Sequence, residues 1–371
     1  MSAGAISVLV GAGALGPSRL RRLFAHHTPL DAVERLCSGA PLHPMVLNGL
    51  PPETLDRLRR RVQAASVAEA EAECEQLGVQ VIALDDPRYP VALVHDPEAP
   101  VALFVRGDLD ALADRRVGIV GTRHASAAGR ATAAELGPAL SAASVTVISG
   151  LARGIDAAAH RGIRADPGPG RPVAVVGSGP DVHYPKVNAE LWEWVAHAGL
   201  LISEWPPGVS PDAWRFPQRN RILAALSEIV VVVESRERGG SLITARAAAD
   251  RGIEVMAVPG SPRSRASAGT NQLLVDGVAP LTCVDDVLVA LGLDHRRQGV
   301  LPFDPRRPPD ALQQRVLEAC EREPSNLDMI VAATGLSVTD AALGAARLER
   351  SGWLAESGGW FEPVGSRLSD R

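Results

Sequence analysis

Glycine-rich turns that carry arginine are the part of this sequence best suited to chemistry. Three glycine-rich turns follow short apolar runs, and two of them carry arginine. Their candidate contact residues are Gly121, Thr122 and Arg123, then Ser149, Gly150 and Arg153, then Gly177 and Ser178. Glycine lets the backbone approach an anion closely, and arginine adds charge and paired N–H donors for phosphate oxygens. The turns therefore predict a phosphate-containing ligand, and ligand-free strand-to-helix turns are the alternative.

A second segment joins aromatic and basic side chains directly after Trp214. Its candidate contact residues are Arg215, Phe216, Arg219, Asn220 and Arg221. Unpaired bases stack on aromatic rings while guanidinium groups hold the backbone, so this composition favours a single-stranded nucleic acid. The alternative is a helix that Pro217 begins and Phe216 staples, with solvated arginines.

Further polar residues stand near the ends of the apolar runs. Gly240 and Ser241 open a helix and predict either another phosphate contact or a simple cap. Four carboxylates lie at strand ends or in neighbouring loops, and they are Asp156, Asp181, Glu204 and Glu234. Because nothing pairs them at a spacing diagnostic of acid–base catalysis, we expect them to orient the arginines.

Metal and cofactor signatures are weak in this sequence. Asp156 and His160 stand four residues apart, which would suit two metal ligands, but a helix-start aspartate and a packed histidine is the favoured interpretation. The four cysteines are scattered and predict reduced, structural thiols. Neither the ATPase nor the dinucleotide glycine fingerprint is present in the turns, so we expect no cofactor.

The apolar runs indicate how these turns are positioned. The runs are Val117 to Val120, Val145 to Ile148, Val173 to Val176, Leu200 to Ile202, Ile229 to Val233 and Val255 to Val258. Continuous apolar runs that alternate with helices predict an α/β fold, an extended Rossmann-type, doubly wound and mainly parallel sheet. The turns should then share one edge, where Arg123, Arg153 and Arg219 would converge in a positively charged cleft.

Composition shifts predict four regions. They are a helical module of the SAM or helix-hairpin-helix kind at 1–82, the Rossmann domain at 83–294, a Pro- and Arg-rich linker at 295–309 and a winged-helix-like domain at 310–365. The third helix of the last domain carries Arg347 and Arg350 but also Asp340 and Glu349. It therefore suits partner or domain docking at least as well as duplex reading.

The composition and net charge of the whole chain restrict which functions these motifs can support. Its 371 residues are 46% hydrophobic and 22% charged, which favours folded cores over disorder. The net charge of −5 means that any DNA site must be a local basic patch. No uncharged run approaches a membrane span and no secretory signal is evident, so we expect a cytoplasmic protein without a membrane partner.

Taken in order over about residues 85–285, the motifs resemble the DNA-processing protein A family, also called DprA or Smf. They are Tyr89-Pro90, Leu103 to Gly107, Val120 to Arg123, Ser149 to Asp156 with Ala159-His160, Gly177 to Gly179 with Tyr184-Pro185, Ile202 to Glu204, Phe216 to Ile222, Gly240 to Ala245, Val258 to Gly260 and Gly269 to Asn271. Pro180 and Gly239 are departures that would alter local geometry.

The resemblance implies a protein that binds single-stranded DNA without catalysing a reaction. It implies protection of incoming DNA, loading of the RecA recombinase in natural transformation or recombination, and a homodimer formed through the Rossmann domain. By the same resemblance, Arg123 and the segment Phe216 to Arg221 match DNA-contacting motifs.

Two other functions stay open at this point. A nucleotide-cleaving Rossmann enzyme, similar to a phosphoribohydrolase, would use Glu204 or Asp156, but the Pro-Gly-Gly-x-Gly-Thr-x-x-Glu signature of that family is missing. A winged-helix regulator of duplex DNA is the third interpretation.

Overall fold

The computed structural model describes residues 2–293 and 309–364. The chain divides into two compact units, residues 1–282 and residues 283–371. Most of the predicted linker at 295–309 lies outside the described residues, and the four predicted domain ranges stay predictions.

The first unit is built on a nine-stranded mixed sheet. Its strands are β1 (Gln80–Ala83), β2 (Ala102–Gly107), β3 (Arg116–Val120), β4 (Thr146–Ser149), β5 (Pro172–Val176), β6 (Leu200–Ser203), β7 (Ile229–Val232), β8 (Glu254–Ala257) and β9 (Ala279–Pro280). The strand order is β1-β2-β6-β5-β4-β3-β7-β8-β9. Strands β3 to β9 are parallel to their neighbours within that group, whereas β2 pairs antiparallel with both β1 and β6.

Helices cover both faces of this sheet, which confirms the predicted α/β fold class. The helices from α7 onward in the first unit are α7 (Val91–Val94), α8 (Ala127–Ala142), α9 (Ile155–Ala165), α10 (Ala189–Ala198), α11 (Arg215–Leu226), α12 (Gly240–Ala249) and α13 (Ala268–Val275). Strands β3 to β7 are almost wholly buried, as a parallel sheet covered on both faces requires.

The loops after β3 to β8 share the carboxyl edge of the parallel strands, which we call the rim. The strand order reverses beside β3, because β4 lies on one side of it and β7 on the other. Ligands of open α/β sheets bind outside such a reversal point. All six predicted strands are confirmed, and each of their ends differs from the prediction by one residue at most. Strands β1, β2 and β9 were not predicted.

Six helices precede the sheet. They are α1 (Ala3–Gly11), α2 (Pro17–His26), α3 (Pro29–Ser38), α4 (Pro44–Leu47), α5 (Pro52–Gln63) and α6 (Val67–Gln76). Thr28 and Ser66 cap α3 and α6 with their hydroxyl oxygens, and proline opens α2 to α5. The apolar faces of these helices form one core with Phe104 of β2 and with Trp205, so the helices rest against the β2 side of the sheet.

The second unit contains four described helices and a small antiparallel sheet. These elements are α14 (Val284–Ala290), α15 (Ala311–Arg322), β10 (Ser325–Asn326), α16 (Leu327–Thr334), α17 (Val338–Arg350), β11 (Leu354–Ser357) and β12 (Trp360–Pro363). The three helices after residue 310 and the hairpin match the predicted elements. Strand β10 was not predicted, because a strand of only two residues leaves no pattern in the sequence. It pairs with β12. The winged-helix assignment stays a prediction.

Among the described residues, no single helix is long and apolar enough to cross a membrane. Helices α16 and α17 reach that length and hydropathy only when taken together, and they are bent by 112° at their junction.

Candidate nucleic-acid interface

The loops after β3 and β4 contact each other directly at the rim. The Ile155 N–H donates to the carbonyl oxygen of Thr122 at 3.4 Å. Gly154 has a φ of 81°, and a Cβ there would lie 2.2 Å from that same oxygen. Only glycine permits both the left-handed backbone and the close approach, so it holds the Arg123 loop against the Arg153 loop. Both arginines are exposed, as the sequence predicts.

Arg123 and Phe216 form the centre of the rim. The guanidinium carbon of Arg123 lies 4.7 Å from the Phe216 ring centroid, and the Tyr184 ring lies 5.4 Å from it. Gly177 makes room for this ring, because a Cβ at that position would sit 3.2 Å from Phe216 Cδ1. A cation above an aromatic face at this distance is favourable, and both groups are suited to a polynucleotide. Tyr184 is 42% exposed and extends the aromatic surface.

Arg219 lies beneath this surface rather than on it. It is 6% exposed, and its Nη1 donates to the Val175 carbonyl oxygen at 2.5 Å, while Nε has no hydrogen-bond partner among the residues that the structure describes. Burial lowers the pKa of Arg219 to about 10, and the nearby carboxylate of Asp156 opposes that change. The predicted convergence of three solvent-facing arginines is therefore wrong for Arg219, although its positive charge still lies below the rim.

The buried Arg219 guanidinium leaves no room for a side chain at Gly150. A Cβ on Gly150 would lie 1.7 Å from Arg219 Nη1. Asp156 fixes the same loop, since its Oδ2 accepts from the Ala152 N–H at 3.4 Å. Burial raises the pKa of the Asp156 carboxyl, while the charges of Arg219 and Arg123 favour its ionised form. The expectation that Asp156 orients arginine is consistent with this electrostatic pairing.

Arg221 is also an interior residue. Its Nη2 lies 2.6 Å from Glu204 Oε1 in an ion pair whose two side chains are each 10% exposed. Burial raises the pKa of Glu204, and the adjacent guanidinium opposes that shift. Glu204 thus orients an arginine as predicted, but the pair positions α11 against the sheet. Arg221 is not available on the surface as the sequence interpretation expects.

The three candidate serines are buried as well. Ser149 Oγ donates to the Ile119 carbonyl at 2.6 Å, Ser178 Oγ donates to the Val182 carbonyl at 2.8 Å, and Ser241 Oγ donates to Ser235 Oγ at 2.9 Å. Their hydroxyls support the loops, which corrects the expectation of direct contact. Asn220 is half-buried and donates from Nδ2 to the carbonyl oxygen of exposed Gly240 at 3.5 Å, which joins α11 to the start of α12.

Two carboxylates bind backbone amides instead of arginine. Glu234 follows β7 at the reversal point, and its Oε2 accepts from the Ser126 N–H at 2.7 Å, directly before α8. A Cβ on Gly129 would lie 2.8 Å from the same oxygen. The carboxylate therefore occupies the helix N-terminus where nucleotide-binding folds hold phosphate. Asp181 accepts from the Gly208 N–H at 2.9 Å. The expectation that these two orient arginine is wrong.

His160 is completely buried, and its Nε2 lies 3.5 Å from the Val147 carbonyl oxygen. Burial lowers its pKa to about 4, so the ring is neutral near pH 7. This is the packed histidine that the sequence favours over a metal ligand. Within residues 2–293 and 309–364, no cluster of three histidine, cysteine, aspartate or glutamate side chains is arranged to hold a metal.

A second aromatic cluster precedes α11. The Arg215 guanidinium carbon lies 4.7 Å from the Trp205 ring centroid and 4.9 Å from that of Trp214. The two indoles meet edge to face at 5.4 Å and 87°. Trp205 is 8% exposed and Trp214 is 48% exposed. Trp205 was missed by sequence reasoning, because nothing in the spacing of residues 205 and 214 predicts their contact. In the sequence, only the Tyr184-Pro185 motif draws attention to Tyr184, and its spacing does not predict a contact with Phe216.

The region that matches a protein-family model coincides with the segment that forms the nine-stranded sheet. Residues 80–292 match the family model described as DNA recombination-mediator protein A. The chain belongs to this family. Protein Smf from Synechocystis is 32% identical over 93% of this chain and 94% of its own length. The DNA processing protein DprA from Streptococcus pneumoniae is 40% identical over 55% of this chain and 71% of its own length.

Solved structures of the family share the fold. The X-ray structure of DNA processing protein A from Streptococcus pneumoniae matches 78% of this chain and 98% of its own, with a TM-score of 0.65 and 30% identity. DNA processing protein A from Helicobacter pylori, whose single-stranded DNA binding mode has been described, matches 57% of this chain and 95% of its own, with a TM-score of 0.52 and 25% identity. The chain is thus a DNA-processing family member with that fold.

Proposed function

We propose that this chain binds single-stranded DNA at the rim, protects it, and passes it to the RecA recombinase in natural transformation or another recombination process, without catalysing a reaction. The observation that carries the proposal is the exposed Arg123 guanidinium held over the Phe216 ring at the edge of the sheet. Cation and ring together can hold a phosphate and an adjacent unpaired base. The single-stranded DNA binding described for the Helicobacter pylori relative supports the same ligand.

Local charge supports this ligand despite the acidic balance of the chain. Arg123 and Arg153 are exposed on adjoining loops, and Arg236 and Arg238 are exposed in the loop after β7. Arg219 adds a buried positive charge below them. Because charges beyond about 8 to 10 Å are screened at physiological salt, the arginines near a strand matter more than the net charge of −5.

The same geometry disfavours the nucleotide-cleaving alternative. Its candidate acid Glu204 is committed to a buried pair with Arg221, and Asp156 is buried under its own loop. Glu234 occupies the helix N-terminus that would hold a nucleotide phosphate. A polynucleotide that lies across the rim needs none of these three carboxylates.

The salt dependence of oligonucleotide binding tests the proposal. The wild-type chain should bind a single-stranded oligonucleotide with an affinity that falls as salt rises, by a log–log slope of about −0.7 for each phosphate contacted. Arg123→Ala should weaken binding by about tenfold near 0.1 M salt and make the slope shallower by about one contact. Fluorescence anisotropy over a salt series measures both quantities.

Arg164→Ala is the matched control. Arg164 is a half-exposed arginine in the last turn of α9, away from the rim, and lies 4.0 Å from Glu190. Its replacement should leave the affinity and the slope unchanged. Binding that does not respond to salt, a preference for duplex, or normal binding by Arg123→Ala would contradict the proposal.

Transfer of the strand to RecA is tested in the same variants. The wild-type chain should accelerate RecA assembly on an oligonucleotide covered by single-strand-binding protein, and Arg123→Ala should not, because it holds the strand poorly. Equal acceleration by both proteins would separate the recombinase step from rim binding and contradict this part of the proposal.

The proposed homodimer involves the Rossmann domain. Val275 ends α13 close to the edge strand β9 and is 80% exposed, so a charge placed there probes this edge of the sheet as the dimer surface. Val275→Glu should lower the molar mass measured by light scattering from dimer to monomer. Val91→Glu, at an equally exposed valine on α7, should leave the mass unchanged. A wild-type monomer at every concentration would overturn the dimer.

A further inference from the structure

The cluster before α11 is a second aromatic surface, and it lies at the start of the same helix that carries Phe216. We call it the Trp214 shelf, and it consists of Trp205, Trp214 and Arg215. Trp214 directly precedes α11, and Phe216 is the second residue of that helix. Trp214 and Phe216 are therefore two positions apart at the start of one helix, and their rings leave it in different directions.

The shelf is held from below. Trp205 belongs to the core that the sheet shares with the N-terminal helices, and it meets Trp214 edge to face. Arg215 lies against both indoles, and its side chain is 13% exposed. An indole that is 48% exposed yet fixed in this way offers a flat ring at little cost in conformational entropy.

The charge of Arg215 is already compensated. Its Nη1 donates to the Ser210 carbonyl oxygen, and the same nitrogen lies 3.3 Å from Asp212 Oδ2. The guanidinium therefore has limited capacity to neutralise a phosphate, in contrast to Arg123. What the shelf offers a ligand is the ring face of Trp214, which suits an uncharged planar group.

We propose that the Trp214 shelf is a second base-binding subsite, on which one unpaired nucleobase stacks next to the nucleotides held at Arg123 and Phe216. This inference rests on the proposed single-strand binding, and it adds one nucleotide to the stretch of strand that the protein holds. The shelf contributes through stacking, so its share of the affinity should be nearly independent of salt, whereas the share of Arg123 should not.

Three variants measure this contribution with a single-stranded oligonucleotide. Trp214→Ala should weaken binding by at least about fivefold, in the range known for base–aromatic stacking, with the salt slope unchanged. Trp214→Phe should retain most of the affinity because it retains a ring. Trp360→Ala is the matched control, since Trp360 is 44% exposed on the hairpin of the second unit, and it should bind as the wild type does.

Oligonucleotides with one abasic position identify the base itself. Moving the abasic position along the strand should find one site where the loss of a base weakens wild-type binding by a similar factor. In Trp214→Ala that same abasic oligonucleotide should bind no worse than the intact one, because the stacking partner is already missing.

The outcomes separate this inference from the proposed function. If Trp214→Ala binds within twofold of wild type while Arg123→Ala still weakens binding and flattens the slope, the subsite is overturned and the rim proposal stands. If Trp214→Ala flattens the slope as Arg123→Ala does, stacking is not the contribution and the subsite is also overturned. If the wild-type chain shows no salt-dependent binding of single strands, both fail.

Discussion

The rim and helix α17 present their arginines in different ways. At the rim, Arg123 lies over an aromatic ring, and glycines at 154 and 177 allow close packing around it. On α17, Arg347 lies 3.9 Å from the Asp310 carboxylate, and no aromatic contact accompanies it among the described residues. The exposed face of α17 also carries Leu343, which is 44% exposed, and Glu349.

This difference teaches that arginine content does not identify a nucleic-acid site. A single strand needs phosphate neutralisation and a stacking surface in the same place, and only the rim combines them among the described residues. The face of α17 mixes charge signs with an apolar side chain, which suits docking to a protein surface more than reading a duplex. Variants in each region test the comparison.

The largest loss of stability and of DNA affinity is expected at Gly150, which packs against the buried Arg219 guanidinium. Gly150→Ala places a Cβ about 1.7 Å from Arg219 Nη1, so the guanidinium must move within a closed interior. We expect the free energy of unfolding to fall by about 3 kcal/mol and oligonucleotide binding to weaken more than tenfold. Urea denaturation and anisotropy measure the two effects.

Gly16→Ala is the comparison variant for that substitution. A Cβ at Gly16 would meet nothing within 4 Å, and its φ is −77°. Because Gly16 is the N-cap residue of α2, its replacement by alanine should cost about 1 kcal/mol or less, well below the cost at Gly150. Equal stability of Gly150→Ala and Gly16→Ala would show that Arg219 is not packed as described.

An intermediate effect is expected from the ring beneath Arg123. Phe216→Leu keeps an apolar side chain in the space that Gly177 leaves open but removes the aromatic face that Arg123 covers. Loss of about 1 to 2 kcal/mol of stacking and cation–π energy should weaken oligonucleotide binding roughly five- to thirtyfold. Phe361→Leu on β12 is the control, and fluorescence anisotropy measures the oligonucleotide affinity of both variants. An equal loss of affinity in both would contradict the special role of the rim.

The smallest effect is expected on α17. Replacement of both Arg347 and Arg350 by alanine should leave single-strand affinity within about twofold and the salt slope unchanged, because the face of α17 mixes charge signs and offers no stacking ring next to these arginines among the described residues. A slope that flattens as it does in Arg123→Ala would move part of the DNA site to the second unit.

The sequence was sufficient for the six parallel strands β3 to β8 because their signals are local. The runs at β3 to β8 are short, apolar and bounded by glycine or polar residues, so both their type and their ends could be predicted. Strand β1 was missed because two of its four residues are not buried and its run is short. Gly121, Gly150, Gly154 and Gly177 were recognised as turn residues, although what each makes room for could not be known.

The site was predicted less completely than the fold. Arg123, Arg153 and Phe216 lie where the rim was expected, while Arg219 and Arg221 are buried. Helix α11 has no polar face from Arg219 to Leu226, since all but one residue in that stretch are buried, so the usual amphipathic pattern gave no indication of which side faces solvent.

By itself, the sequence determined which segments form the parallel strands β3 to β8, where glycine allows tight turns after them, and to which family the chain is similar. Only the tertiary structure decided which arginines remain in solvent, which one is paired with Glu204, and that Trp205 supports Trp214. The physical reason is that burial and ion pairing depend on residues distant in sequence that meet only when the sheet is assembled, whereas strand and turn propensities act between near neighbours.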